Sequence, residues 1–177
     1  MAVMGSMRVG EFGVTLIVQD VAQAGDFYRH VLGAVELRCH HAPSPIDPPD
    51  ETPCSIEMRL GDTYLLVVKE NPNWRQAPRP DWPRSPHSAG APSASYRLYV
   101  DDVDAVLARA LKAGATPRIA SGGEPEDSYF GDRIAQFHDP AGHVWSILTR
   151  IEDVATEELP ARLNKALDRH RQKRAAG

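Results

Sequence analysis

Apolar and polar positions follow two rhythms along this chain, and the same succession of rhythms occurs twice. Residues 11–18 (EFGVTLIV) are rich in β-formers and predict a strand. After Gln19 and Asp20 come Val21, Ala24, Phe27, Tyr28, Val31 and Leu32, a spacing of 3, 3, 1, 3 and 1 that puts one apolar face on a helix. Gly33 ends that helix because a C-terminal cap favours a residue free to take positive φ. Strands are then predicted over 35–39, 55–60 and 63–69, the last two joined by the turn residues Gly61 and Asp62. The order is β-α-β-β-β.

It returns after a proline-rich stretch. Residues 95–100 predict a strand, Asp101-Asp102 a cap, and Val103, Val106, Leu107, Ala110 and Leu111 a helical stripe closed by Gly114. A short strand over 117–120, a glycine-rich acidic loop over 121–131, and strands over 133–138 and 144–149 flanking Asp139-Pro140-Ala141-Gly142 complete the second set. Leu16, Val18, Asp20 and Val21 align with Leu98, Val100, Asp102 and Val103 at an offset of 82, and Gly33 with Gly114 at 81. Internal duplication with a one-residue slip accounts for both. The divisions expected are residues 11–70 and 95–150 as βαβββ modules, 71–94 as a loop between them, and 151–177 as a helical extension. In that extension Glu157 and Glu158 open the helix, Leu159, Leu163, Ala166 and Leu167 share a face, and Arg169, Arg171, Lys173 and Arg174 close it. It reads as a solvated amphipathic helix docked on its own subunit or on a partner.

Composition narrows the class of function. The 177 residues are 42% hydrophobic and 25% charged, ordinary for a globular protein. With 20 Lys+Arg against 24 Asp+Glu the net charge is -4, which gives no footprint for nucleic acid or anionic lipid, and neither partner is expected. The longest apolar run, Tyr64 to Val68, is far short of the roughly 20 residues of a membrane span. The N-terminus lacks a secretory apolar core, and a cytoplasmic location is expected. Eleven of the 15 prolines lie between Pro43 and Pro53 or between Pro72 and Pro92, marking the irregular segments. Cys39 and Cys54 flank the first of these; adjacent strands could pair them, but reduced thiols are expected in a cytosolic protein.

The segments IVQDVAQAGDFYRHVLGA, LYVDDVDAVLARALKAGA and YFGDRIAQFHDPAGHVWSILT together resemble the vicinal oxygen chelate superfamily of glyoxalases, bleomycin-resistance proteins and extradiol dioxygenases, and most of all its PhnB-like branch. The resemblance covers residues 11–150. It implies an α+β fold of two tandem βαβββ modules whose curled mixed sheets surround a cavity, often completed by homodimerisation, with the C-terminal helix added. Metal-dependent members place His at the start of the first and fifth strands and Glu on the fourth and eighth. Here those positions fall on Gly13, Ser95, a fourth-strand position near Val67 to Glu70, and Ser146. Glu70 is the one acidic candidate, so the superfamily metal is not expected and no cofactor is implied. Cys39, His40, His41 and Cys54 hold soft ligands, but their spacing matches no zinc motif.

If Gly13 and Ser95 sit at ligand positions, alternation turns Thr15 and Ile17, Arg97 and Tyr99, and Val144, Ser146 and Leu148 toward the cavity, and sets Val14, Leu16, Val18, Tyr96, Leu98, Val100, Trp145 and Ile147 beneath the helices. A guanidinium at Arg97 then either clamps a ligand carboxylate or phosphate, or bridges an internal carboxylate such as Glu70. Trp74 and Trp82, interleaved with Arg75, Arg79, Arg84 and His87, either stack a planar ligand at the cavity mouth or anchor the loop over the seam. Tyr129 and Phe130 offer further walls. His138 and His143 read as hairpin residues, with His138 a base if the hairpin borders the cavity. The function expected is metal-free binding of a small, partly apolar, anionic organic ligand by a homodimer, as in resistance or carrier proteins. The alternative is a glyoxalase-like lyase, isomerase or dioxygenase with a displaced divalent metal.

Overall fold

Two aspartates start the two halves of this fold in the same way. A computed structural model of the chain describes residues 7, 9–41, 53–76, 79, 81–118 and 123–176, with the side chains of 170 and 173–176 outside it. The prolines of 43–49, the part of the expected strand at Ile119 and Ala120, and the side chains of Lys173 and Arg174 lie outside the described residues. Asp20 caps helix α1 (Val21–Leu32) by accepting from the Gln23 N–H, and Asp102 caps helix α3 (Val103–Lys112) by accepting from the Ala105 N–H. At the other ends Gly33 has φ 76° and Gly114 φ 94°. Gly33 directly follows its helix, whereas Ala113 intervenes before Gly114, and α3 is shorter than α1 by two residues. These differences are the physical form of the slip in the repeat.

The first half forms a four-stranded sheet in the order β1-β4-β3-β2, from Gly13–Val18, Thr63–Lys69, Ser55–Leu60 and Val35–His40. β1 runs parallel to β4 and the remaining pairs are antiparallel. The second half repeats the order as β5-β9-β8-β6, from Ser95–Tyr99, Val144–Arg150, Asp132–His138 and Thr116–Pro117, with β5 parallel to β9. A short β7, Glu126–Asp127, pairs with β8 inside the segment expected to be a loop. Its charged residues hold because the Arg133 guanidinium bonds Asp127 at 2.7 Å. β6 is shorter than expected, although the Arg118 N–H still reaches the Gln136 carbonyl. The short helix α2 (Pro86–Ala89) lies in the connection between halves, and α4 (Leu159–Ala176) follows a 3-10 turn over Thr156–Glu158. The architecture is mixed α+β, two sheets plus a C-terminal helix.

The helix-bearing faces of the two sheets meet. Leu16, Val18 and Val67 from the first half and Phe137, Trp145 and Ile147 from the second share one apolar core with residues of α1 and α3. Phe27 of α1 packs edge-on against Phe137 at 6.0 Å, and Tyr28 tilts against Trp145 at 5.8 Å. The opposite faces, carrying Thr15 and Arg97, therefore point away from the shared core.

Candidate functional site

Arg97 stands in the middle of β5 with its side chain exposed, and among the described residues it has no ion-pair partner. The ladder sets it opposite Ser146, and Ser146 opposite Gln136. Gln136 Nε2 donates to Ser146 Oγ at 2.7 Å, and Arg118 Nη1 donates to Gln136 Oε1 at 3.0 Å. Alternation on β8 also brings Asp132 to this face. It is fully buried, with Tyr99 Oη donating to Oδ2 at 2.6 Å and Arg150 Nε lying 2.7 Å from Oδ1. The Arg150 contact is an ion pair without good hydrogen-bond alignment, leaving Oδ1 short of a directed donor. Gln136 and Asp132 were missed by sequence reasoning because alternation was applied to β1, β5 and β9 and not to β8, and Arg150 because the expected last strand ended at Thr149.

Arg97 also borders a cleft of about 390 Å³ between the edge strands β1 and β5, whose walls include Phe12, Val14, Leu65, Tyr96 and Trp145. Apolar walls with one unpaired cation at the rim suit a small ligand that is mostly hydrocarbon and carries one negative or strongly polar group. Of the ligand-binding residues nominated from sequence Arg97 alone lines it, beside Ser95 at a ligand position, and its walls include Val14, Tyr96, Leu98 and Trp145, which alternation had assigned to packing beneath the helices. Thr15 is exposed on the open face of the first sheet. Tyr99, 53% exposed, lines a neighbouring cleft with His30 and Arg109. Ser146 is buried beneath the Gln136 amide, and Tyr129, packed edge-on against Phe130, faces a groove beside Arg162 and Lys165 of α4.

Glu70 does not bridge Arg97. Its carboxylate accepts from the Ser85 N–H at 2.8 Å, Ser88 Oγ at 2.6 Å and Trp74 Nε1 at 3.4 Å, so it ties the connecting segment to the end of β4. Burial pushes its carboxyl up, and the hydrogen bonds from Ser88 and Ser85 outweigh that push and hold it below the ordinary range. Trp74 is consequently fixed at the end of the first sheet. Arg75 and Arg84 lie 5.1 and 5.0 Å from its ring centre, while Arg79 lies 5.6 Å from that of Trp82.

The superfamily metal does not fit these residues. On β4 the side chains sharing the face of Gly13 are Tyr64, Leu66 and Val68, and Glu70 falls beyond the strand. Together with Gly13, Ser95 and Ser146 they offer hydroxyls and hydrocarbon in place of imidazole and carboxylate. Among the described residues no three His, Cys, Asp or Glu side chains converge as a metal site. Cys39 Sγ lies 3.6 Å from His41 Nε2, Cys54 bonds the His40 carbonyl, and both cysteines are free thiols.

The hairpin histidines differ in role. His143 is buried and its Nε2 donates to the Ile17 carbonyl at 3.0 Å, across the boundary between halves. Asp139, also buried, accepts from the Ala141 and His143 N–H groups through Oδ1 and from Tyr28 Oη and Trp145 Nε1 through Oδ2. The residues that gave the sequence its resemblance thus meet in one polar joint inside the core. His138 Nδ1 reaches only the Gly142 carbonyl, at 3.4 Å.

Comparison with known proteins agrees with this geometry. The sequence pattern of the Glyoxalase/Bleomycin resistance protein/Dioxygenase superfamily matches residues 12–147. Protein Rv0887c of Mycobacterium tuberculosis is 31% identical over 153 residues, covering 86% of this chain and 82% of its own. Protein Mb0911c of Mycobacterium bovis has the same identity, with 91% of its own length covered. Among solved structures, TioX from Micromonospora sp. ML1 aligns with a TM-score of 0.54 at 20% identity, covering 80% of this chain and 98% of that one. A glyoxalase/bleomycin resistance protein/dioxygenase family enzyme from Burkholderia phytofirmans gives 0.56 at 20%, covering 78% and 96%. The fosfomycin resistance protein FosX from Mesorhizobium loti gives 0.50 at 18%, covering 88% and 99%. At these identities the structures speak for the fold.

Proposed function

The chain belongs to the glyoxalase/bleomycin resistance protein/dioxygenase superfamily, and from that premise we propose that it binds a small, partly apolar organic anion without a metal, as a sequestering or carrier protein of the PhnB-like branch. The observation that carries this reading is Arg97, a guanidinium with no protein partner among the described residues, at the rim of an apolar cleft. A cation in such a setting gains most from a ligand carboxylate or phosphate, which its planar fork engages through two parallel hydrogen bonds. One neighbour in fold is a fosfomycin resistance protein, and small-molecule resistance is a role of the same kind.

A second copy of the chain completes the site in this proposal. β1 and β5 are edge strands, and the open faces beside them point outward from the single core. A second copy laid over the free edges of β1 and β5 closes the cleft from water. A homodimer in the cytoplasm is the working form under this reading. No helix among the described residues is long and apolar enough to cross a membrane.

The test is a thermal-shift screen of aromatic carboxylates and planar antibiotics, followed by calorimetry on wild type and Arg97→Met. The substitution roughly keeps the volume and removes the charge, so binding of an anionic hit should weaken by about 2 to 5 kcal/mol. Equal affinity in the two proteins overturns the role of Arg97. A monomer mass by light scattering at micromolar concentration overturns the closed cavity.

A further inference from the structure

The segment joining the two halves gathers positive charge in a chain whose net charge is -4. Trp74 is its fixed point, because its indole N–H bonds Glu70 and Glu70 is in turn bonded by Ser85 and Ser88. Two exposed guanidiniums, Arg75 and Arg84, both lie near 5 Å from the centre of that ring. They arrive from opposite sides of the connection, one from the 3-10 turn over Pro72–Arg75 and one from just before α2. Among the described residues neither has a carboxylate partner. Beside the indole lies a cleft of about 310 Å³, lined by Gln19, Lys69, Glu70, Pro72, Trp74 and Arg75.

Each guanidinium carbon lies near 5 Å from the ring centre, so the indole attracts both cations and leaves their N–H groups available to an anion. Glu70 is the carboxylate that lines the cleft, and its oxygens already accept from Ser85, Ser88 and Trp74. Arg75 lines the cleft and Arg84 reaches the same indole from outside that lining, so an anion long enough to meet both guanidiniums needs more than one negative group. Linked phosphoryl groups meet that need, with several oxygens able to take paired N–H donors.

We propose that Trp74, Arg75 and Arg84 form a second binding site, separate from the Arg97 cleft, for a small polyphosphate-type anion. Trp74 positions the two arginines and Gln19 and Lys69 flank the bound anion. This site stands or falls independently of the Arg97 reading, because no residue lines both clefts.

Calorimetric titration of the full chain with inorganic pyrophosphate tests it, with acetate and with sodium chloride at matched ionic strength as comparisons. Saturable pyrophosphate binding near one equivalent per chain is expected, accompanied by a change in tryptophan emission that neither acetate nor sodium chloride reproduces. Arg75→Gln and Arg84→Gln should each weaken it roughly tenfold, as loss of a charged hydrogen-bond donor does. Both arginines are exposed, so the two variants should melt with wild type in the absence of anion. Arg97→Met should bind pyrophosphate as wild type does. Absence of saturable binding, an equal response to sodium chloride, or loss of binding in Arg97→Met with retention in Arg75→Gln and Arg84→Gln would overturn the proposal.

Discussion

The two halves use charge differently on their open faces, although their elements follow the same order. On the first sheet the acidic residue is Glu57, across the ladder from Leu66 and on the side of Thr15. It is closed on its own neighbours: His40 Nε2 lies 2.8 Å from Oε1, and Arg38 Nη1 3.6 Å. On the second sheet Asp132 is closed in the same way by Tyr99 and Arg150, but Arg97 is left over. Both halves share a scaffold that neutralises its carboxylates, and the second half carries a cation that the scaffold does not need. A group surplus to the fold is where ligand recognition has room to evolve.

The hairpins separate the halves further. Gly61 and Asp62 turn the chain between β3 and β4 in solvent, while Asp139 turns it between β8 and β9 inside the core. Asp139→Ala is the largest effect expected in this molecule, a loss of about 3 to 5 kcal/mol, because it leaves two backbone N–H groups, Tyr28 Oη and Trp145 Nε1 buried without their acceptor. Asp62→Ala, at the corresponding place in the first half, should cost no more than about 0.5 kcal/mol. Urea unfolding of the two variants measures both. Comparable losses would mean that Asp139 is an ordinary turn residue and that the halves are not joined through it.

This joint also shows what kind of information a single sequence carries. The capped helices, their glycine ends and the long strands follow from short-range periodicity and hydrogen bonding, and Asp20, Asp102, Gly33 and Gly114 announce themselves. The parity of Arg97 follows from alternation along one strand. By contrast, the hydrogen bond from Tyr28 to Asp139 spans 111 residues and that from His143 to Ile17 spans 126, so both residues looked like local hairpin chemistry. The actual partners of Glu70 were hidden for the same reason, since its donors at Ser85 and Ser88 come from a proline-rich segment without periodicity, and bridging to Arg97 had been one of two alternatives for it. β7 was hidden because Glu126 and Asp127 are poor strand formers, with Asp127 held by Arg133.

Acid should weaken the molecule in two stages, first at the joint between the halves and then on the first sheet. Burial pushes the His143 imidazolium below the ordinary histidine range, outweighing the opposing pull of the Asp139 charge. The folded joint therefore favours neutral His143, and stability present above about pH 6.5 declines as pH falls from there toward the depressed folded value. Glu57 is also depressed, first through its hydrogen bond with His40 and then through Tyr64 and Arg38, against the opposing effect of burial. Its contribution is complete above about pH 4.3 and is lost only as pH falls further. Denaturant midpoints measured from pH 8 to pH 3 should fall in two stages, the upper one abolished in His143→Gln and the lower one reduced in Glu57→Gln, with Glu70 carrying the remainder. A profile in which Glu57→Gln removes the upper stage would reverse the assignment.

The smallest expected effect bears most directly on function. Arg97→Met removes a charge that no carboxylate among the described residues answers, so unfolding of the unliganded protein should shift by no more than about 0.5 kcal/mol in either direction. Arg150→Met is the matched comparison on the same face, and it must cost clearly more, because it strands the fully buried Asp132 with only Tyr99 to answer its charge. The contrast follows from burial of the partner, since both arginines are themselves substantially exposed. If Arg97→Met proves as costly as Arg150→Met, the guanidinium belongs to the fold and the second face has no surplus charge. If the pair separates as expected and an anionic ligand raises the melting temperature of wild type but not of Arg97→Met, the difference between the two open faces becomes a measured difference in binding.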